Sequence, residues 1–511
     1  SELNFSGDNN ITDLNSKGTV SNSGDLILTN ANLQGSYTQT SGGLSVVGET
    51  NFSDSTNISG GSFAVGNTTG NSASATFNGT IEEGTQLTVN SGSTFKNSGN
   101  VTLNGGDTLN GSFEQSTGTL NLKGVTTNGK LNSTGGDVNI TGDQTLIGGD
   151  NIGSGVDLTV GATLTNDGGT INLNNGDKIE STGSISQTSG TINADNFATA
   201  ADGGSLKVNG GSLNISSGGL TLNNANDNIT DGATVNMNGN LTIKNGSITL
   251  NTGDKLNNSA ITQNGGSLTI SDISTGSATL NSASGKLTLD GATIEGNDTI
   301  AGTVNTTIGA NGVTISNTSA DGIILNNGDE INGTVNQQGG NLSLAGVTVT
   351  GNQTLTGTDT IGSGVDLTVG ATLTNEGGTI NLNNNDSITS NGSISQNSGT
   401  IDANNFATAA DGGSLEVNGG SLNISSGGLT LNNANDNITD GATVNMNGNL
   451  TINNGSVSLG SSGNLNSGTI KQTNGTLNLN GIKTGNINLN STGGNLNLTN
   501  TTLNNSNDSI S

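Results

Sequence analysis

Apolar residues along this chain fall in short triplets of the form apolar-polar-apolar. Examples are Leu120-Asn121-Leu122, Val138-Asn139-Ile140, Leu158-Thr159-Val160, Leu213-Asn214-Ile215 and Leu287-Thr288-Leu289. Such alternation marks a strand with one face buried and the other open. Clusters of Asn, Gly, Asp and Ser bound each triplet, as tight turns require. No segment sustains 3.6-residue apolar spacing, and Gly is too frequent for helix interiors, where each costs about 1 kcal/mol relative to Ala. No apolar run approaches the roughly 20 residues of a membrane-spanning helix.

The spacing of the triplets gives the architecture. Leu206, Leu213 and Leu220 are seven apart, and Val235, Leu241 and Ile248 are six and seven apart. The same face then recurs at Leu241, Ile261 and Leu280, or at Ile248, Leu268 and Leu287. A return to one face every 19 to 20 residues is the sequence form of a solenoid. The expectation is an all-β fold, a right-handed parallel β-helix with three short strands per coil, continuous over residues 1–511. Each strand would pair with its counterpart one coil away at about 4.8 Å, so about 25 coils would make a rod on the order of 120 Å long.

Composition supports folding of this kind. Hydrophobic residues make up only 28 %, near the region where collapse fails, but they are patterned rather than scattered and charge per residue is low. Pro, which would delete a ladder hydrogen bond, is absent. The 85 Gly and 87 Asn supply the positive φ that corners demand, and stacked Asn side chains are expected to form amide ladders. Six of the eight Phe, with Tyr37, lie before residue 114, which sets residues 1–140 apart as Phe-richer coils of different shape. Phe77, Phe95 and Phe113 stand 18 apart and are expected to stack as core in adjacent coils.

The chain carries an internal duplication. Residues 141–250 match 350–459 at an offset of 209, with 94 of 110 positions identical. Coils 251–349 intervene and 460–511 follow. Lys207 becomes Glu416, Lys178 becomes Ser387 and Lys244 becomes Asn453, so these positions should face outward. Inward changes such as Ile248 to Val457 are mild, with Ile147 to Thr356 the exception. A weaker motif, GxIxQxxGTL, places Gln at 39, 115, 187, 263, 337, 396 and 472. Its Gln is either a ladder of equivalent external sites or a wall position inherited by duplication; the second is the expectation.

The residue types restrict the chemistry. The 39 acidic residues against 11 Lys give a net charge of −28, and His, Cys, Trp and Arg are missing. That removes imidazole and thiolate chemistry, ordinary zinc and haem sites, and bidentate phosphate clamps. Nucleic acid is a poor partner for such a chain. A sugar-cleaving cleft needs little more than two carboxylates, but no acidic cluster breaks the repeat, so no enzyme and no catalytic residue is expected. IGSGVDLTV at 152–160 and 361–369 partly resembles a calcium nonapeptide, but each copy stands alone. The NNGD corners at 174–177 and 326–329 offer oxygen ligands. Asp157, Asp177, Asp329 and Asp366 are therefore the candidate metal ligands, for loosely bound Ca²⁺ only, and no other cofactor is expected; solubility is the commoner role of such acids. Outward Thr in LTV, LTL and LTI would suit ice binding only as a flat array, and the outward positions are mixed. N-x-S/T sequons occur at Asn214, Asn228, Asn240, Asn423 and Asn437, as this composition generates by chance.

The coil length and the phrases GTLNL, GGTINL and GGSLNI resemble the passenger regions of filamentous-haemagglutinin-like adhesins and autotransporters of bacterial surfaces. The resemblance implies a secreted, surface-attached β-helix acting as adhesin or stalk, with self-association along the solenoid axis or surface glycans and proteins as partners. Two features depart from it: the Pro-containing motifs of two-partner secretion are missing, and no aromatic-rich C-terminal region looks like a translocator barrel. The expected role is a non-enzymatic extracellular spacer and adhesive surface without membrane insertion. The alternatives are a self-assembling subunit of a filament, sheath or surface layer, and a viral fibre shaft. The chain opens SELNFSGDNN and ends TTLNNSNDSIS, both coil-like, and reads as an excised segment, a processed form or a stacking subunit.

Overall fold

A computed structural model describes every residue except 1, 68–71, 258, 302, 318–322, 326–328, 332–334, 340–341, 345–347, 350–352, 357–359 and 362–366. The fold is an all-β solenoid in which short strands stack in parallel, coil upon coil, through about 23 turns of the described chain. The turns are fewer than the expected 25 because many coils run longer than 20 residues. Among the described residues there is no α-helix, only one 3-10 turn at Thr484–Asn486.

Two compact units divide the chain, Ser1–Thr249 with Gly253–Ser259, and Leu250–Thr252 with Ala260–Ser511. In the first, Phe197–Ala198, Ser205–Val208 and Gly211–Ile215 make one coil. They pair in parallel with Leu220–Leu222, Asn228–Ile229 and Ala233–Met237 of the next. In the second, Phe406–Ala407, Ser414–Val417 and Ser421–Ile424 pair likewise with Leu429–Leu431, Asn437–Ile438 and Thr443–Met446. Elsewhere two strands run together through a corner: Ala260–Ser271 pairs along its length with Thr279–Asp290. Leu268 lies beside Leu287, the predicted step of 19, whereas Leu220 lies beside Leu241, a step of 21.

The alternation read from the sequence is the burial pattern. Leu213 and Ile215 are fully buried and Asn214 between them faces out. Each buried Leu or Ile contributes about 1.5–3 kcal/mol, and since neighbouring coils supply the burial, stability is shared between coils. Corners run at van der Waals limit. Gly211 has φ +72°, and a Cβ there would lie 2.4 Å from the carbonyl of Gly190 one coil below. Gly190 has φ +84° and meets Gly169 in the same way. Glycine is the one residue that fits both the turn and the contact.

Near the N-terminus the coil lengthens. Val20 pairs with Tyr37, a step of 17, but Phe52 pairs with Phe77, a step of 25. The extra circumference is filled by rings: Tyr37 and Phe52 are 5.4 Å apart, Phe52 and Phe77 5.8 Å, Phe63 and Phe95 5.5 Å, and Phe95 and Phe113 5.3 Å, all fully buried. Phe95 and Phe113 stack in register as expected. Phe77 does not continue that register: Ala75 lies beside Phe95, because the step there is 20 rather than 18. Its ring still reaches Phe95 at 5.7 Å.

The duplicated blocks behave as their substitutions suggest. Lys178, Lys207 and Lys244 are exposed, and Ile248 and Val457 are buried. Ile147 is no exception to this rule, because it sits half-exposed at the end of the strand Gln144–Ile147 rather than in the core.

Candidate functional site

The motif glutamines do not form an external ladder. Gln39, Gln187, Gln263, Gln396 and Gln472 are 0 % exposed, and Gln115 is 1 % exposed. The side chain of Gln337 lies outside the described residues. Each sits at the second inward position of a strand, as in Ile185-Ser186-Gln187, where its amide spans three coils. The Gln187 carbonyl accepts from Asn166 Nδ2 (2.9 Å) in the coil below, and its Nε2 donates to the carbonyls of Gly210 (2.8 Å) and Ser212 (3.0 Å) in the coil above. Gln396 repeats this with Asn375 (3.0 Å), Gly419 (2.9 Å) and Ser421 (3.0 Å). Tyr37 adds its hydroxyl to Gln39 at 2.9 Å. A buried amide so satisfied is a fastener; it has no free group to offer a ligand.

The buried aspartates are a second set of fasteners. Asp177 Oδ1 accepts from the Leu158 amide of the coil below (2.7 Å) and Oδ2 from its own corner at Asn174 N (2.7 Å). The same two-coil bridge joins Asp107 to Leu87 and Asn104, Asp150 to Leu131 and Ile147, and Asp386 to Leu367 and Asn383. Asp227 and Asp436 add a buried hydroxyl, from Thr199 and Thr408. Burial raises the pKa of Asp107, Asp150, Asp227, Asp298 and Asp436 above the ordinary carboxylate range, against the lowering effect of their backbone hydrogen bonds. Asp177 is pushed up to about 6, first by burial and also by the nearby charge of Asp157.

These contacts place the four metal candidates. Asp157 is exposed on Val156–Val160, and its carboxylate lies over Gly176 beside Asp177. Asp177 and Asp329 are buried, and Asp329 Oδ1 accepts from Thr306 N at 2.6 Å. Asp366 lies outside the described residues. The structure thus brings Asp157 and Asp177 together, but both oxygens of Asp177 already serve backbone amides. Among the described residues, no three acidic side chains converge to hold a metal ion.

The outward faces carry the predicted amide ladders. Asn193 Nδ2 donates to Asn172 (2.9 Å), Asn214 to Asn193 (2.7 Å) and Asn236 to Asn214 (2.9 Å). The second block repeats the column with Asn423 donating to Asp402 (2.5 Å) and Asn445 to Asn423 (2.7 Å). The N-terminal coils differ. The strands Asn9–Ser16, Leu26–Leu33, Glu49–Ile58 and Ser74–Ile81 border an open polar groove of about 470 Å³, lined by Asp13, Asn15, Asn30, Asn32, Glu49 and Asn51 among others. Sequence reasoning missed it, because it arises from the change in coil length and not from any motif.

No protein-family model matches this chain, and no curated protein matches it. Among the described residues, no helix is long and apolar enough to cross a membrane.

Proposed function

We propose that this chain is a non-enzymatic structural β-solenoid that serves as a rigid, adhesive shaft on a bacterial surface. The observation that carries the reading is where its polar chemistry is spent. Buried Gln, Asn and Asp side chains, which in an enzyme would be aimed at a substrate, are consumed by coil-to-coil bonds. Adhesion would then reside on the outward faces, which vary in charge between the duplicated blocks while the fasteners stay the same. The resemblance to adhesin passengers supports an extracellular setting.

The test is display of the chain on a non-adherent bacterium, with attachment to host cells and to glass measured against the undisplayed strain. Attachment above background is expected. Equal attachment, together with turnover of any polysaccharide by the purified chain, overturns the reading. Concentration-dependent filaments in electron micrographs, without attachment, would favour the self-assembling subunit instead.

A further inference from the structure

We infer that the N-terminal groove is a binding site for a neutral saccharide segment. In-register asparagines bond to one another elsewhere on the surface, as Asn193, Asn214 and Asn236 do. Asn15, Asn32 and Asn51 are also in register, one above another. No hydrogen bond joins their side chains. Asn32 Oδ1 is buried and has no partner, and beside it Thr50, 3 % exposed, has an unpartnered Oγ1. Of the six such oxygens among the described residues, these two lie together on the groove wall. Unpaired buried oxygens cost about 1–3 kcal/mol each, a cost that a donor from a ligand would remove.

The geometry explains why the amides stay open. Asn15 to Asn32 is a step of 17 residues, Asn32 to Asn51 one of 19, and Asn51 to Thr76 one of 25. Coils of growing circumference displace successive side chains, so the column that would zip up is splayed into a recess. Its volume of about 470 Å³ falls in the range of small-ligand sites, roughly 300–1,000 Å³.

The wall selects the ligand class. Each free amide presents a donor and an acceptor side by side, which matches the hydroxyls of a sugar. The charged groups that line it are Asp13 and Glu49, with no Lys, so acidic sugars are repelled. A metal ion fits less well, because Asp13 and Glu49 lie two coils apart with Asn30 between them, its Nδ2 on Asp13 (3.3 Å) and its Oδ1 accepting from Glu49 N (3.3 Å). No aromatic ring lines the groove, so binding rests on hydrogen bonds.

The site is tested on the full chain by titration calorimetry with neutral tetrasaccharides of glucose, mannose, galactose and N-acetylglucosamine. Matched tetramers carrying uronic or sialic acid serve as anionic probes, and all runs are made with chelator and with added calcium. At least one neutral tetramer should bind, independently of calcium and more tightly than the anionic probes. Asn32→Ala and Asn51→Ala should each weaken it about tenfold, as loss of one hydrogen bond implies, while Asn214→Ala on the laddered face should not. Asp13→Asn, an exposed change that does not threaten folding, should relax the exclusion of anionic probes. The proposal is overturned if no neutral tetramer binds, if binding survives Asn32→Ala with Asn51→Ala, or if calcium alone occupies the groove. Cell attachment without saccharide binding would leave the adhesive shaft standing and remove only this site.

Discussion

Replacing Asp177 by Ala should cost more in acid than at neutrality. In the folded chain the Asp177 carboxyl titrates near pH 6, against 3.8 for the free group. Between those values the folded state holds a proton that the unfolded state has released. Rising pH therefore erodes the stability this residue contributes: the contribution is full below about pH 4 and lost above about pH 6. A shift of about two units corresponds to about 3 kcal/mol, reduced to about 2 kcal/mol by partial access of solvent. Ala removes the carboxyl and strands the amides of Leu158 and Asn174, each at about 1–3 kcal/mol, at any pH. At pH 7 the loss is partly offset, because Ala also removes a buried charge; at pH 4 there is no charge to remove. The destabilisation at pH 4 should thus exceed that at pH 7 by about 2 kcal/mol. Repeat proteins open locally, so the assay is amide hydrogen exchange at Leu158 and its neighbours, corrected for intrinsic rates. A penalty equal at the two pH values, or larger at neutrality, would refute the reasoning.

Other outcomes follow from the same contacts. Gln187→Leu should lower the stability of its coils by about 3–5 kcal/mol in local exchange, since it empties bonds to three coils. Phe95→Ala should cost about 3–5 kcal/mol, because the ring is fully buried against Phe63, Phe77 and Phe113. Lys123→Gln should cost less than about 1 kcal/mol despite its 2.7 Å ion pair with Glu83, as both side chains are exposed; a larger loss in thermal unfolding would contradict this. Gly211→Ala should destabilise by well over about 1 kcal/mol, through both its positive φ and the carbonyl of Gly190.

The strands were legible because burial follows a period of two, and Leu213-Asn214-Ile215 shows it without help from context. The fasteners were less so. Gln187 and Asp177 are polar, and a polar residue beside a turn reads as exposed. Their parity was nonetheless available: Gln187 stands two after Ile185, and Asp177 two before Ile179, so both share the inward face. The expected external Gln ladder fails on that point. The lengthened coils near Phe52 and Phe77, and with them the groove, had no periodic signal. They depend on how far a corner bulges before the chain rejoins its register, which is set by packing against the ring cluster.

Because each fastener reaches one turn away, the chain can gain or lose material safely only in whole turns. An insertion of a few residues in a strand would leave donors and acceptors facing the wrong mates on both sides. Copying an entire set of turns does not: Asp227 with Leu206 and Thr199 reappears as Asp436 with Leu415 and Thr408, bond for bond, 209 positions on. Its genealogy is therefore quantised, with recombination between repeats as the cheap mutation and small frame-preserving indels as the costly one.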